Sequence, residues 1–275
     1  MMTLGCVLGH ENAAAEEAVT DVNIVTALDI SDSMDPRATS IEIDGMAAAI
    51  VASDVIRAIE AGHLGRVGFA VFAWRDGAFP ALVPWTVIAS AEDAAIAAER
   101  LQSSFRAFAA SDQPGPVSMP HMTDLSGAID HAAVLLLTAP YAAERSVINV
   151  IGNGWDNVGE GPRAARDRVV ASGATINGVV LGIDPVLSSY FRDHVIGGPG
   201  AFLLSAGNPA AMTDVLARKF LYDIASRGAG GTMAAVTALQ APRARPRCRR
   251  HPPPAARRCG RWRRRPAGRT RRPPR

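Results

Sequence analysis

The feature that most constrains the fold is a repeated alternation of short, almost wholly apolar runs with longer stretches of helical period. The runs are NIVTAL (23–28), RVGFAVFAW (66–74), RSVINVIG (145–152), ATINGVVLG (174–182) and GAFLLSA (200–206). Each has the length and residue bias of a strand rather than a helix. A strand that is apolar on both faces needs cover on both. The alternation therefore predicts an α/β fold, with a mainly parallel sheet carrying helices on both faces in three layers, as in Rossmann-like domains. Its crossover connections are expected to be right-handed.

The intervening stretches fit that plan. IEIDGMAAAIVASDVIRAIEAG has apolar positions recurring at three and four, which predicts one amphipathic helix over 37–61, ended by Gly62 and Gly65. SAEDAAIAAERLQSSF opens with a Ser cap and acids in its first turn. Further helices are expected at 124–138, after Pro162, at 185–195 and over 208–226, and residues 109–122 read as a Pro/Gly/Ser-rich loop. FPALVPWTVI (79–88) is extended but holds two prolines, so it belongs at an edge or is irregular.

Charge divides the chain. The formal net charge is +3, yet residues 241–275 carry 15 arginines and no acid. The preceding 240 residues set the other 14 Lys and Arg against all 26 acids, a formal −12. The acidic body is not expected to bind nucleic acid. The tail has the Arg, Pro, Ala and Gly mixture of a frame-shifted GC-rich reading, and that origin is preferred over a phosphate- or membrane-binding arm. Residues 227–275 are expected to be disordered. The cysteines, Cys6, Cys248 and Cys259, all lie in the terminal segments, so no disulfide framework or CxxC metal site is available to the body. No apolar run reaches the roughly 18–20 residues that span a bilayer. Residues 1–19 end in small residues before an acidic start, which suggests a degraded export signal and a periplasmic protein. The missing basic region leaves a plain leader, and a cytoplasmic location, as the alternative. One body, 20–226, is expected between these ends.

The chemistry gathers at strand ends. Asp29, Ser31, Asp32, Ser33 and Asp35 follow the first strand within seven residues, more oxygens than a turn or cap requires. Parallel sheets place their sites at the carboxyl ends of strands. Two further clusters, HMTDLSGA around Thr123 and GNGWDN after the 145–152 strand, would gather at the same edge. Taken singly, Ser33 or Asp35 could cap the next helix, as could Thr123 or Asp124. Together the three segments suit a hard divalent cation such as Mg²⁺, which prefers oxygen ligands.

Asp29-Ile30-Ser31-Asp32-Ser33, Thr123 and the Gly-rich loop after residue 152 resemble the metal-ion-dependent adhesion site of von Willebrand factor type A (vWA) domains. VPWTVI, SGAIDHAAVLL, TINGVVLG and YFRDHVIGGPGAF are similar to a bacterial group of such domains, DUF1194, over roughly residues 20–226. The resemblance implies direct cation binding by Ser31 and Ser33, a water-mediated role for Asp29, and Thr123 from the second loop. The family's third-loop aspartate is replaced here by Asn153, a neutral acceptor, with Asp156 as a possible substitute, and Asp32 stands where the family has glycine. It further implies weak Mg²⁺ binding and a protein partner that offers an acidic side chain to the cation.

The sequence lacks the signatures of the common α/β enzyme classes. The chain has neither a GxxxxGK[ST] loop nor a GxSxG elbow, and its only lysine is Lys219. A phosphatase would want a second acid where Ser31 stands. The six histidines show no HExxH spacing, and His63 and His131 read as structural. A metal-assisted hydrolase using the same Asp/Ser/Thr cluster is the remaining alternative.

Overall fold

The computed structural model describes residues 19–30, 36–75, 77–111, 123–159, 161–208 and 211–226. Ser31, Asp32, Ser33, Asp35, the leader, the Arg-rich tail and most of the 109–122 loop lie outside the described residues.

The apolar runs become strands as expected. β1 (Val19–Thr20) leads into β2 (Val22–Asp29), followed by β3 (Val67–Trp74), β4 (Ala81–Ile88), β5 (Ala142–Ala143), β6 (Ser146–Gly152), β7 (Thr175–Leu181) and β8 (Leu203–Ala206). Six of them form one sheet in the order β4-β3-β2-β6-β7-β8, parallel except for β4. β4 is the proline-bearing edge strand. Its register with β3 shifts between Phe69 and Phe72, and Pro84 faces solvent, where a missing N–H leaves no ladder bond unmade. β1 and β5 add a two-residue parallel pair that sequence reasoning did not anticipate.

The helices are α1 (Pro36–Ile50), α2 (Ser53–Glu60), α3 (Ala91–Ser111), α4 (Leu125–Leu137), α5 (Arg163–Ala171), α6 (Pro185–Tyr190) and α7 (Met212–Ala225), with a π-helical turn at Phe191–Val195. The sheet separates two apolar layers. Val22, Ile24 and Leu28 of β2 face α1, α2, α3 and α7, while Val25 and Ala27 face α4 and α5. That two-residue alternation, with both faces covered, is why all of β2 is buried.

Two helix boundaries depart from expectation. The single helix over 37–61 is two, because Ala52 is extended (φ −61°, ψ 130°) and α2 restarts at Ser53 with Asp54 in its first turn. The break lets α2 set Val55 and Ile59 into the core on a new heading. α3 runs six residues past the predicted Phe105, and its start is a reciprocal cap. Asp93 N–H donates to Ser90 Oγ (3.2 Å), and the Ser90 hydroxyl and the Ala89 N–H donate to Asp93 Oδ2 (2.8 and 3.1 Å). Among the described residues no helix is long and apolar enough to cross a membrane.

Candidate functional site

β2 is the point where the strand order reverses. The chain builds β3 and β4 on one side of it and β6, β7 and β8 on the other. The carboxyl ends of β2 and β6 therefore flank a crevice, the usual place for a ligand in such sheets. Asp29, the last residue of β2, is fully buried there. A β-carbon on Gly152, at the end of β6, would lie 3.0 Å from Asp29 Oδ2, a tight approach that any larger residue would meet by shifting the Asp29 side chain. One residue beyond Asn153, a β-carbon on Gly154 would lie 3.2 Å from Thr123 Oγ1. The Gly152-Asn153-Gly154 turn thus runs between Asp29 and Thr123, and the Asn153 Oδ1 atom is buried within it. Asp29, Thr123 and Asn153, drawn from three segments, are brought together; Ser31 and Ser33, by sequence two and four residues past Asp29, are outside the described residues.

The second and third segments are tied to each other by hydrogen bonds. Asp124, not Thr123, is the N-cap of α4, accepting from the Gly127 N–H at 2.7 Å. The Thr123 hydroxyl is thereby left out of capping. Thr123 N–H donates to Asn157 Oδ1 (2.8 Å) and Asn157 N–H returns a bond to the Thr123 carbonyl (3.0 Å). Asp156, the possible substitute for a third-loop aspartate, accepts from the Leu125 N–H at Oδ1 (2.8 Å) and from the Ser126 hydroxyl at Oδ2 (2.9 Å). Burial pushes its carboxyl up, opposed by these bonds. Both oxygens are engaged at the positive end of α4. Asp156→Ala is therefore expected to cost about 1–2 kcal/mol in thermal denaturation, as a lost cap does, and to leave Mg²⁺ affinity unchanged. A matching loss of affinity would make Asp156 the source of the missing charge.

Sequence reasoning missed Glu42. It lies on α1 in the buried stripe with Thr39 and Met46, at 4% exposure, and among the described residues its Oε2 meets no hydrogen-bond donor. Burial first, and the charge of Asp29 second, push its carboxyl up to about 8. The available signal was a charged residue at an inward position of an amphipathic helix. Also missed was an aromatic group on the rim. Half-exposed Trp155 leans on Tyr190 at 4.7 Å, Tyr190 stacks on His194 at 4.8 Å, and the Asp156 N–H reaches the Tyr190 hydroxyl at 3.3 Å.

Other polar clusters lie elsewhere. Asp21, His63 and Glu144 bring ligand-type atoms within 4.8 Å of one another, but at the amino ends of β2, β3 and β6. There Asp21 accepts from the Leu64 and Arg66 N–H groups (2.8 and 3.1 Å), and His63 Nδ1 meets Glu144 Oε1 at 2.8 Å. His131 is structural, packed between Phe72 and Phe79, and burial lowers its pKa. A groove of about 750 Å³ between α4 and α5, with Leu137 and Arg168 in its wall, is also remote from Asp29.

The donors gathered at Asp29 are oxygens, and a second buried carboxyl, Glu42, lies within electrostatic reach of Asp29. That fits a hard divalent cation better than a soft one.

Comparison with known proteins agrees with the fold. A von Willebrand factor type A protein from Catenulispora acidiphila superposes with a TM-score of 0.53 at 16% identity, over 76% of this chain and 44% of its own. Proximal thread matrix protein 1 from the mussel byssus, in a form with a zinc-occupied MIDAS motif, gives 0.52 at 14% identity, over 77% and 49%. The vWF domain of the type V pili tip protein Mfa5 from Porphyromonas gingivalis gives 0.51 at 12%, over 76% and 97%. The chain spans less than half the length of the first two. No curated protein matches the sequence. The family described as "Protein of unknown function (DUF1194)" matches residues 18–228, most of the chain. With its vWA-like fold, the chain belongs to the DUF1194 family.

Proposed function

We propose that the domain is a non-catalytic, adhesion-type binding module whose crevice holds a divalent cation, Mg²⁺ in the first instance, and through it an acidic side chain of another protein. The observation that carries this is the fully buried Asp29 carboxylate at the point where the strand order reverses, with Thr123 and Asn153 drawn in around it. Asp29, Ser31, Ser33, Thr123 and Asn153 would hold the ion. The cation supplies a positive charge that a partner carboxylate can complete. Trp155, exposed on the same rim, offers the partner an apolar anchor of the kind that dominates interface energies. An exported protein, as the leader suggests, would meet such partners outside the cytoplasm.

Asn153 lacks the charge that an aspartate would place beside the ion, so wild-type affinity is expected to be weak. Calorimetric titration with Mg²⁺ tests the reading. Asn153→Asp should bind about 5- to 30-fold more tightly, as expected for one added charge worth some 1–2 kcal/mol at a partly shielded site. Asp29→Ala should bind nothing while keeping its circular dichroism. If Asn153→Asp binds no metal either, the oxygen cluster is a cap and a turn, and the module reading fails.

A further inference from the structure

A second group of buried polar residues lies under α7, apart from the cation crevice. On the sheet face that α7 covers, Thr26 of β2 is in register with Asn149 of β6, and Asn149 with Asn177 of β7. Lys219 and Asp223, one turn apart on α7, come down onto this row. Thr26, Asn149, Lys219 and Asp223 have no solvent exposure. Lys219 Nζ donates to both Asp223 oxygens at 3.0 Å and to Asn149 Oδ1. Asn149 Nδ2 donates to Asp223 Oδ2 at 2.8 Å, and Asn177 Nδ2 to Asp223 Oδ1 at 2.9 Å. The Phe202 ring closes the group, 4.9 Å from Nζ.

A buried ion pair is a poor stabiliser, because desolvation offsets most of the attraction. An arginine would hold the same carboxylate with more hydrogen bonds, and this chain uses arginine everywhere else: Lys219 is the only lysine among 29 Lys and Arg residues. What lysine can do and arginine cannot is give up its proton and become a nucleophile. Here the amine rests against a carboxamide carbonyl, and one carboxylate contacts both the amine and the carboxamide nitrogen.

We propose that Lys219 and Asn149 join in an intramolecular isopeptide bond, with Asp223 as the proton carrier. The Lys219 ammonium passes a proton to the Asp223 carboxylate, and the Nζ lone pair adds to Cγ of Asn149. Asp223 delivers that proton to Nδ2 and takes up the surplus one from Nζ. The Cγ–Nδ2 bond breaks and ammonia leaves. The products are a secondary amide, a neutral Asp223 carboxylic acid and ammonia, with no oxidant, water or cofactor consumed. Burial lowers the Lys219 pKa, an effect that Asp223 opposes, so the apolar setting favours the neutral amine. Holding the two groups in contact removes the entropy cost of bringing them together. The product also carries no buried charge. Asn177 fixes the carboxyl in place through the oxygen that does not face Asn149, so it is a positioning residue. The bond would fasten α7 to a central strand across 70 residues of chain. This inference does not depend on the cation site.

Mass spectrometry of the full-length denatured protein tests it. The wild type should weigh about 17 Da less than its sequence, the mass of the ammonia expelled, and Lys219→Arg and Asn149→Ala should show no loss. Trypsin should fail to cut after Lys219 and should release a branched peptide joining residues 146–163 to 219–227. Asp223→Asn should leave the mass unshifted. A wild type at its full sequence mass, cleaved after Lys219, overturns the proposal. So does a 17 Da loss mapped to Asn153-Gly154 or Asn177-Gly178, which would be succinimide formation at an Asn-Gly step.

Discussion

Asp223→Ala should be the most damaging single change away from the apolar core, costing about 3–5 kcal/mol and so a large part of a domain's usual margin. It removes the acceptor of both Lys219 Nζ and the Asn149 and Asn177 amides, all buried. With no proton carrier the bond to Asn149 would not form, and Lys219 would stay an unpaired ammonium with only the Asn149 carbonyl and the Phe202 face. Lys219→Met also forgoes the bond to Asn149 but should cost less, because Asp223 keeps both asparagine donors and the methionine fills the stem's volume. Urea denaturation at pH 7 gives the order. Equal midpoints for Asp223→Ala and wild type would mean that water enters the group and the burial is not maintained.

Glu42→Gln should do the opposite and stabilise the protein at high pH. An unfolded glutamate titrates near 4.5, and Glu42 in the fold near 8. Between those values the folded state retains a proton that the unfolded state has released. Stability is therefore lost as pH rises from 4.5 to 8 and levels off above. Glutamine abolishes that loss. At pH 9 the variant should be more stable than wild type by roughly 3–5 kcal/mol, and at pH 4 the two should be close. Denaturation midpoints at the two pH values, measured in chelator because a cation beside Asp29 would favour the ionised form, decide it. A wild type whose stability is flat between pH 5 and 8 would show that the Glu42 carboxyl is hydrated.

The fold was legible because both faces of the sheet are covered. Runs such as RVGFAVFAW have no other stable use, and the prolines of 79–88 marked β4 as the edge. The break at Ala52 was not legible, since the apolar period runs through it and the cause is where α2 must pack. At the site, Asp29 and Thr123 were singled out by their positions at a strand end and a helix start, and Asn153 only through the resemblance to the vWA third loop. Glu42 was hidden because one inward acid in an amphipathic stretch looks like an ordinary charged position. Asp156 was read only as a spare carboxylate, because its hydrogen bonds to α4 join residues 30 positions apart. The Lys219 group was equally silent. Its members come from β6, β7 and α7, and no local pattern links them.

The hydrogen bonds between residues 123–126 and 156–157 have a mechanical consequence. Four of them, two through Asp156 and two between Thr123 and Asn157, clamp the start of α4 to the loop beyond β6. The Thr123 side and the Asn153 side of the crevice must then travel as one piece. A substitution on either the start of α4 or the loop beyond β6 is then felt at both, because the clamp transmits any shift of one to the other.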